Sequence, residues 1–312
     1  MKQLNDTNKG IFEAALSSAS FGLIPLFTLP VLQAGLSIPS TLVYRFVFAC
    51  LFMLGILAWQ HQSLHLNFGD SLRIAFLSVL YDISAISLFK GYAYMPSGVA
   101  TTLLFSYPVW TVLIEWSFFR VPLRLFSITA VVMAVVGVYF LSGADSASHS
   151  HGISSVIGII WEMLAGLSYA VYMVVFPRMR ISKMPSIKTT FYVFFFALLM
   201  LVAYVSFTEG ALPAIPSVKT LVCLLLLGLL PTTMSNICVI MALKKISATM
   251  VSVLGAFEPL TAMSVGILVF GEPLTINVGV GFLLVIAAVI LLILTSGKAE
   301  TSPKAKVKAR KK

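Results

Sequence analysis

Phe119-Arg120-Val121-Pro122-Leu123 and Phe270-Gly271-Glu272-Pro273-Leu274 carry Phe, Pro and Leu at matching places 151 positions apart. At the same offset Tyr107-Pro108 falls on Glu258-Pro259 and Gly91-Tyr92 on Ala242-Leu243. An offset of 148 aligns Gly10, Leu16, Ser20 and Phe21 with Gly158, Leu164, Ser168 and Tyr169. Any two apolar helices look alike, but prolines that coincide both inside an apolar run and at its edge are harder to obtain by chance. The chain reads as two copies of one unit, over 1–145 and 146–297, followed by a basic tail over 298–312.

The surrounding composition says what the unit is made of. Hydrophobic residues make up 59% of the chain and charged residues 10%, with a mean hydropathy of +1.00. A soluble domain carries about a quarter charged residues, so this chain lacks the polar surface that water demands. The apolar residues are spread along the whole length, which excludes a soluble protein on one anchor. Apolar runs at roughly 11–30, 39–59, 71–94, 97–119, 122–142, 153–176, 187–207, 217–241, 248–270 and 274–295 predict ten transmembrane helices of about 20 residues each. The fold class expected is an all-α integral membrane protein. The third run, interrupted by Asp82 and Lys90, is the weakest by hydropathy alone.

Basic residues set the expected orientation. With the N-terminus inside, the cytoplasmic side holds Lys2, Lys9, Arg73, Arg120, Arg124, Arg178, Arg180, Lys183, Lys188, Lys244, Lys245 and the tail, and the other side only Lys90 and Lys219. Both termini then lie in the cytoplasm, which requires an even number of spans. Five spans per copy is odd, so the second copy enters the membrane from the opposite side. Inverted repeats that meet at the bilayer midplane are a signature of secondary transporters. The net charge of +10 does not point to nucleic acid, because seven of the 21 Lys and Arg sit in the tail from Lys298 to Lys312. Met1 to Gly10 is polar and does not read as a cleavable signal peptide.

Ala242-Leu243-Lys244-Lys245-Ile246-Ser247-Ala248, then Glu258-Pro259, then Gly271-Glu272-Pro273-Leu274, resembles the drug/metabolite transporter superfamily, EamA type. The resemblance covers nearly the whole chain and is most specific in this C-terminal stretch. The first copy departs from the pattern, with Tyr107 in place of Glu258 and Arg120-Val121 in place of Gly271-Glu272. The resemblance implies ten helices, with the first four of each half around a central cavity and the fifth and tenth as scaffold or dimer contact. It leaves the substrate open among amino acids, sugars, nucleotide sugars, drugs and other metabolites.

Polar residues inside a membrane are candidates for function because they are costly there. Asp82 lies near the middle of the third run, and Tyr81 to Ala85 falls on Thr232 to Asn236 of the eighth, so both copies place a polar cluster at the same depth. Asp82 either lines a cavity or pairs with Arg45. Pro108 and Pro259 free the carbonyls of Leu104 and Gly255 and kink their helices. Glu258 is a cavity group or an acceptor that closes the kink. Tyr107, Thr111 and Glu115 form a stripe at helical spacing, with Arg120 or Arg124 as the partner expected for Glu115. Glu162, Gly166, Tyr169 and Tyr172 share a face of the sixth run. Tyr81, Tyr107, Trp110, Tyr169 and Tyr172 fit an aromatic pocket or ordinary membrane packing. Ser18/Gly22 and Gly166/Ala170 are small-residue pairs suited to close helix crossings.

The substrate-binding set expected is Tyr81, Asp82, Tyr107, Trp110, Tyr169, Asn236 and Glu258, with helix kinks at Pro108 and Pro259 and structural roles for Arg45 and Glu115. Cys50, Cys223 and Cys238 lack metal-ligand spacing, His61/His65 lack the glutamate of a zinc-protease motif, and His149/His151 sit in a Ser-rich loop. No catalytic, metal or cofactor site is expected. The function expected is a secondary transporter of a small organic solute, an amino acid or related metabolite, exported across the cytoplasmic (inner) membrane by alternating access. A carrier of sugars, nucleotide sugars or cationic drugs, a membrane scaffold and an intramembrane enzyme are the alternatives. Proton coupling through Asp82 or Glu258 and a homodimer are further expectations. The partners expected are the substrate and the bilayer, and no nucleic acid.

Overall fold

The computed structural model describes residues 2–94, 100, 103–122, 125–141, 153–270 and, within the last segment, 276–277, 279–281, 283–284, 286–288 and 290–291. Helices are α1 (Lys2–Phe21), α2 (Ile24–Gln33), α3 (Ile38–Trp59), α4 (Phe68–Gly91), α5 (Tyr107–Ser117) and α6 (Leu125–Leu141), then α7 (Ile153–Val175), α8 (Ser186–Thr208), α9 (Val218–Leu227), α10 (Ser235–Leu243), α11 (Ala248–Leu254) and α12 (Phe257–Phe270). No strand occurs among the described residues. Seven helical stretches are long and apolar enough to cross a membrane: Asp6–Gln33, Ile38–Trp59, Phe68–Gly91, Val156–Arg178, Ser186–Thr208, Val218–Leu243 and Ala248–Val269. The fourth and fifth expected spans correspond to the shorter α5 and α6, and the tenth to the helical residues within 276–291. The edge motifs at Leu123 and at Gly271-Glu272-Pro273-Leu274, together with Arg124, His149, His151 and the tail, lie outside the described residues.

Local chemistry explains where the helices begin and end. Ser37, Ser217 and Ser247 cap α3, α9 and α11, each hydroxyl accepting from an N–H three residues on. Each cap satisfies a donor that the first helical turn leaves orphaned. Gly35 and Gly210 close α2 and α8 in the left-handed region, at φ 93° and 79°. The third run, despite Asp82 and Lys90, forms one continuous helix of 24 residues. Phe207, Phe68, Trp59 and Phe118 are more than three-quarters exposed. Water would not tolerate that apolar rim, and a bilayer would.

Helix contacts come in matched pairs. α4 packs on α7 as α10 packs on α1; α5 packs on α7 as α12 packs on α1; α4 packs on α8 as the turn before α10 packs on α3. Exchanging the copies reproduces the same set of neighbours, and the α3–α8 contact maps onto itself. The duplication read from the offsets is thus present in the packing.

Small residues make the closest crossings. A Cβ on Gly22 would meet the Glu258 carbonyl and Thr261, so α1 and α12 touch there. A Cβ on Gly166 would fall 2.7 Å from Ser106 Oγ and 2.9 Å from the Leu104 carbonyl, so α7 runs against the break before α5. Backbones approach this closely only where a side chain is missing.

Candidate substrate cavity

Three breaks in the helices build the site. The first two are the proline breaks. α5 begins at Tyr107-Pro108 after a turn at Phe105-Ser106, and α12 begins just before Glu258-Pro259 after a turn at Gly255-Ala256. The Gly255 carbonyl that Pro259 would orphan accepts from Glu258 N–H at 2.9 Å, which closes the kink with backbone. The Tyr107 ring packs into the gap, its hydroxyl occupying the place where a Gly255 side chain would stand.

The third break was not foreseen. The eighth run is interrupted by a π-helical turn, Gly228–Met234, around Pro231. Pro231 has no N–H for the Leu227 carbonyl. The Thr232 hydroxyl donates to that carbonyl at 2.7 Å, and the Thr233 hydroxyl donates to Gly228 O at 2.8 Å. The π turn meets its carbonyls with backbone N–H groups five residues on, and the two hydroxyls add a further donor to the first of them. It also places Asn236, whose amide donates to Thr232 O at 2.8 Å and to the Tyr81 hydroxyl at 3.2 Å. That second bond ties the two copies together at corresponding depth.

Between these breaks lies a narrow cavity lined by Phe21, Arg45, Tyr81, Ser84, Ala85, Leu88, Leu104 and Tyr169. Its free volume is about 10 Å³, room for about one water. Aromatic rings form its frame: Tyr169 stacks on Phe21 at 6.3 Å and on Tyr172 at 6.2 Å, and meets Tyr107 edge-on at 5.2 Å. Tyr81 packs edge-on against Tyr172 and Phe194.

The expected residues distribute unevenly around this space. Tyr81 and Tyr169 line it. Tyr107 and Asn236 stand behind them as direct neighbours. Glu258, buried, lies within electrostatic range of Tyr81, Tyr107 and Tyr169. Trp110, one turn along from Tyr107, is half-buried, and its indole N–H has no partner among the described residues. Asp82 sits beside the lining, 6% exposed, and neither carboxylate oxygen has a hydrogen-bond partner among the described residues.

The Arg45–Asp82 pair expected from the sequence is absent. Arg45 donates instead from Nε to the Thr232 hydroxyl at 2.6 Å, across to the other copy. Glu115 is paired with Arg178 at 3.1 Å and not with Arg120, while Arg124 lies outside the described residues, and Glu115 also accepts from the Thr249 hydroxyl. Both corrections have one cause. Spacing along a helix fixes which side chains share a face, but not which neighbouring helix that face meets.

Glu162 was read from the sequence only as part of a helical face. The structure buries it completely, leaves both carboxylate oxygens without partners among the described residues, and packs it against Gly91, where a side chain would overlap it. Next to it, the Lys90 ammonium lies 4.5 Å above the Trp161 ring. The available signal was a lone glutamate in a run otherwise free of charge. Among the described residues no three His, Cys, Asp or Glu side chains are grouped to hold a metal.

The model of the EamA-like transporter family matches residues 8–143 and 156–294, one match to each copy. An uncharacterized transporter of Clostridium kluyveri is 22% identical over 240 residues, covering 76% of this chain and 77% of that protein. A solved crystal structure superposes with a TM-score of 0.76 at 16% identity, over 95% of this chain and 99% of the other, a likeness of fold. Two family matches, one on each copy, and paired helix contacts around a buried cavity lead to one conclusion: the chain belongs to the EamA-like transporter family and is a multi-pass membrane transporter.

Proposed function

We propose that the protein is a secondary carrier that exports a small organic solute, an amino acid or related metabolite, across the cytoplasmic membrane by alternating access. The observation that carries this reading is the narrow cavity lined by Arg45, Tyr81 and other residues of the first copy and by Tyr169 of the second, with the buried Asn236–Tyr81 bond between the copies beside it. A polar group at membrane depth without a partner loses about 1–3 kcal/mol relative to a satisfied one. Asp82 and Glu162 both stand in that position, which is explicable if a solute or proton completes them in turn. Kinks at Pro108 and Pro259 sit where the walls must move. Proton coupling would run through Asp82 or Glu258, and both termini would face the cytoplasm. A homodimer through the fifth and tenth helices belongs to the same reading.

Flux in proteoliposomes tests it. Asp82→Ala and Asn236→Ala should abolish counterflow of a transported solute while leaving the protein folded. A scaffold carries no flux, so absence of counterflow in the parent protein would overturn the carrier, and unchanged flux in both variants would remove Asp82 and Asn236 from its site. Unchanged proton coupling after both Asp82→Asn and Glu258→Gln would remove those groups as proton carriers.

A further inference from the structure

Arg45 is the most deeply placed cation in the fold. Its residue is 1% exposed, it lines the cavity, and no carboxylate among the described residues stands at ion-pair distance from it. An arginine keeps its charge at any physiological pH. Burying such a charge unpaired is expensive unless other groups hold it. Two sets of groups do so here. Thr232 fixes the Nε side at 2.6 Å, and the rings of Phe46, Phe21 and Phe89 lie 5.8 Å, 5.9 Å and 5.9 Å from the guanidinium carbon. Rings at that distance attract a cation. The Nη2 nitrogen is left over, buried and without a hydrogen-bond partner among the described residues.

We propose that this free edge is the anion-recognition point of the cavity, and that it binds the carboxylate of a small organic acid. This rests on the carrier reading and specifies what the carried solute must contain. A guanidinium presents planar, parallel donors that fit a carboxylate. Charge selects among anions. One monoanion neutralises the single guanidinium, whereas a phosphate dianion would bring an uncompensated charge into an apolar cavity. Thr232 acts as a positioning residue, because its hydroxyl accepts from Arg45 while donating to Leu227 O. The carboxylate site on the first copy is therefore held by the π turn of the second.

The test uses the full-length protein and acids paired with their amides: L-phenylalanine, L-leucine and L-lactate beside phenylalaninamide, leucinamide and lactamide. Thermal shift should show at least one acid stabilising the wild type, with an affinity about tenfold or more above its amide. Arg45→Gln should erase that preference, and Thr232→Val should weaken acid binding several-fold without reversing it. If Arg45→Gln does not fold, Arg45→Lys serves, since it keeps the charge but loses the fork, and the acid preference should shrink. Absence of stabilisation by every acid, equal effects of acid and amide, or an unchanged preference in the folded Arg45 variant would each overturn the proposal. Counterflow of the same acids separates the two readings. A preference without flux leaves the anion site and removes the carrier; flux without a preference does the reverse.

Discussion

At the scale of single residues, the site depends on glycines as much as on polar groups. The Tyr107 hydroxyl occupies the space beside Gly255, and the bend before Pro259 exists partly to receive it. Gly255→Ala should therefore lower the melting temperature and the flux together. Tyr107→Phe in the same chain removes the atom that the new methyl overlaps, so the double variant should recover part of the loss. A thermal-melt double-mutant cycle measures that coupling, expected at about 1–3 kcal/mol; additive losses would mean that the two groups do not share the space. The sequence held the ingredients of this contact, because Tyr107 and Glu258 occupy matching positions before matching prolines. It did not reveal the contact, since Tyr107 belongs to one copy and Gly255 to the other. Arg45 teaches the same lesson. Asp82 was the nearest charge by depth, yet Thr232 is the partner. Neighbours on a membrane helix are separated by rotation about its axis, and lipid and protein interior are equally apolar, so hydropathy carries little of that rotation.

At the scale of elements, hydropathy located the helices well and their interruptions unevenly. Proline in mid-run marked the breaks before α5 and α12, and the third run proved continuous in spite of its charges. Pro231 is the same kind of signal, but the eighth run reads as unbroken over 217–241. Thr232 and Thr233 add hydroxyl donors to the carbonyls of the widened turn. Pro231→Ala restores a backbone N–H to the Leu227 carbonyl and so frees the Thr232 hydroxyl. The expected outcome is a melting temperature equal to or above that of the parent, with lower flux, because Asn236 turns away from Tyr81 as the π turn tightens. A fall in stability with unchanged flux would show that the widened turn serves folding alone. Stabilisation of this kind at the expense of activity is common where a strained segment serves function.

At the scale of the whole molecule, the two copies are alike in packing and unlike in chemistry. Asp82 stands in one copy where Thr233 stands in the other, and Tyr107 where Glu258 stands. The orientation assigned by basic residues can be checked directly. In a cysteine-free background, Lys90→Cys and Lys219→Cys should react with an impermeant maleimide added outside intact cells, and Lys183→Cys only after the cells are opened. Labelling of all three from one side would break the inverted arrangement. On that assignment the inner end is fastened by charge, with Glu13 on Lys245 and Glu115 on Arg178, while at the far end Glu209 accepts from the hydroxyls of Ser37 and Ser40 and Tyr44 donates to Pro213 O. Ion pairs are screened by salt far more than neutral hydrogen bonds are. Unfastening the inner end should thus quicken as ionic strength rises, while the outer end changes less. The apparent half-saturation constants on the two faces would then drift apart with salt. Microscopic reversibility still binds their ratio to the maximal rates in each direction, so in the proposed carrier a lopsided latch of this kind would set the pace and the resting posture, and the gradient alone how far the solute runs.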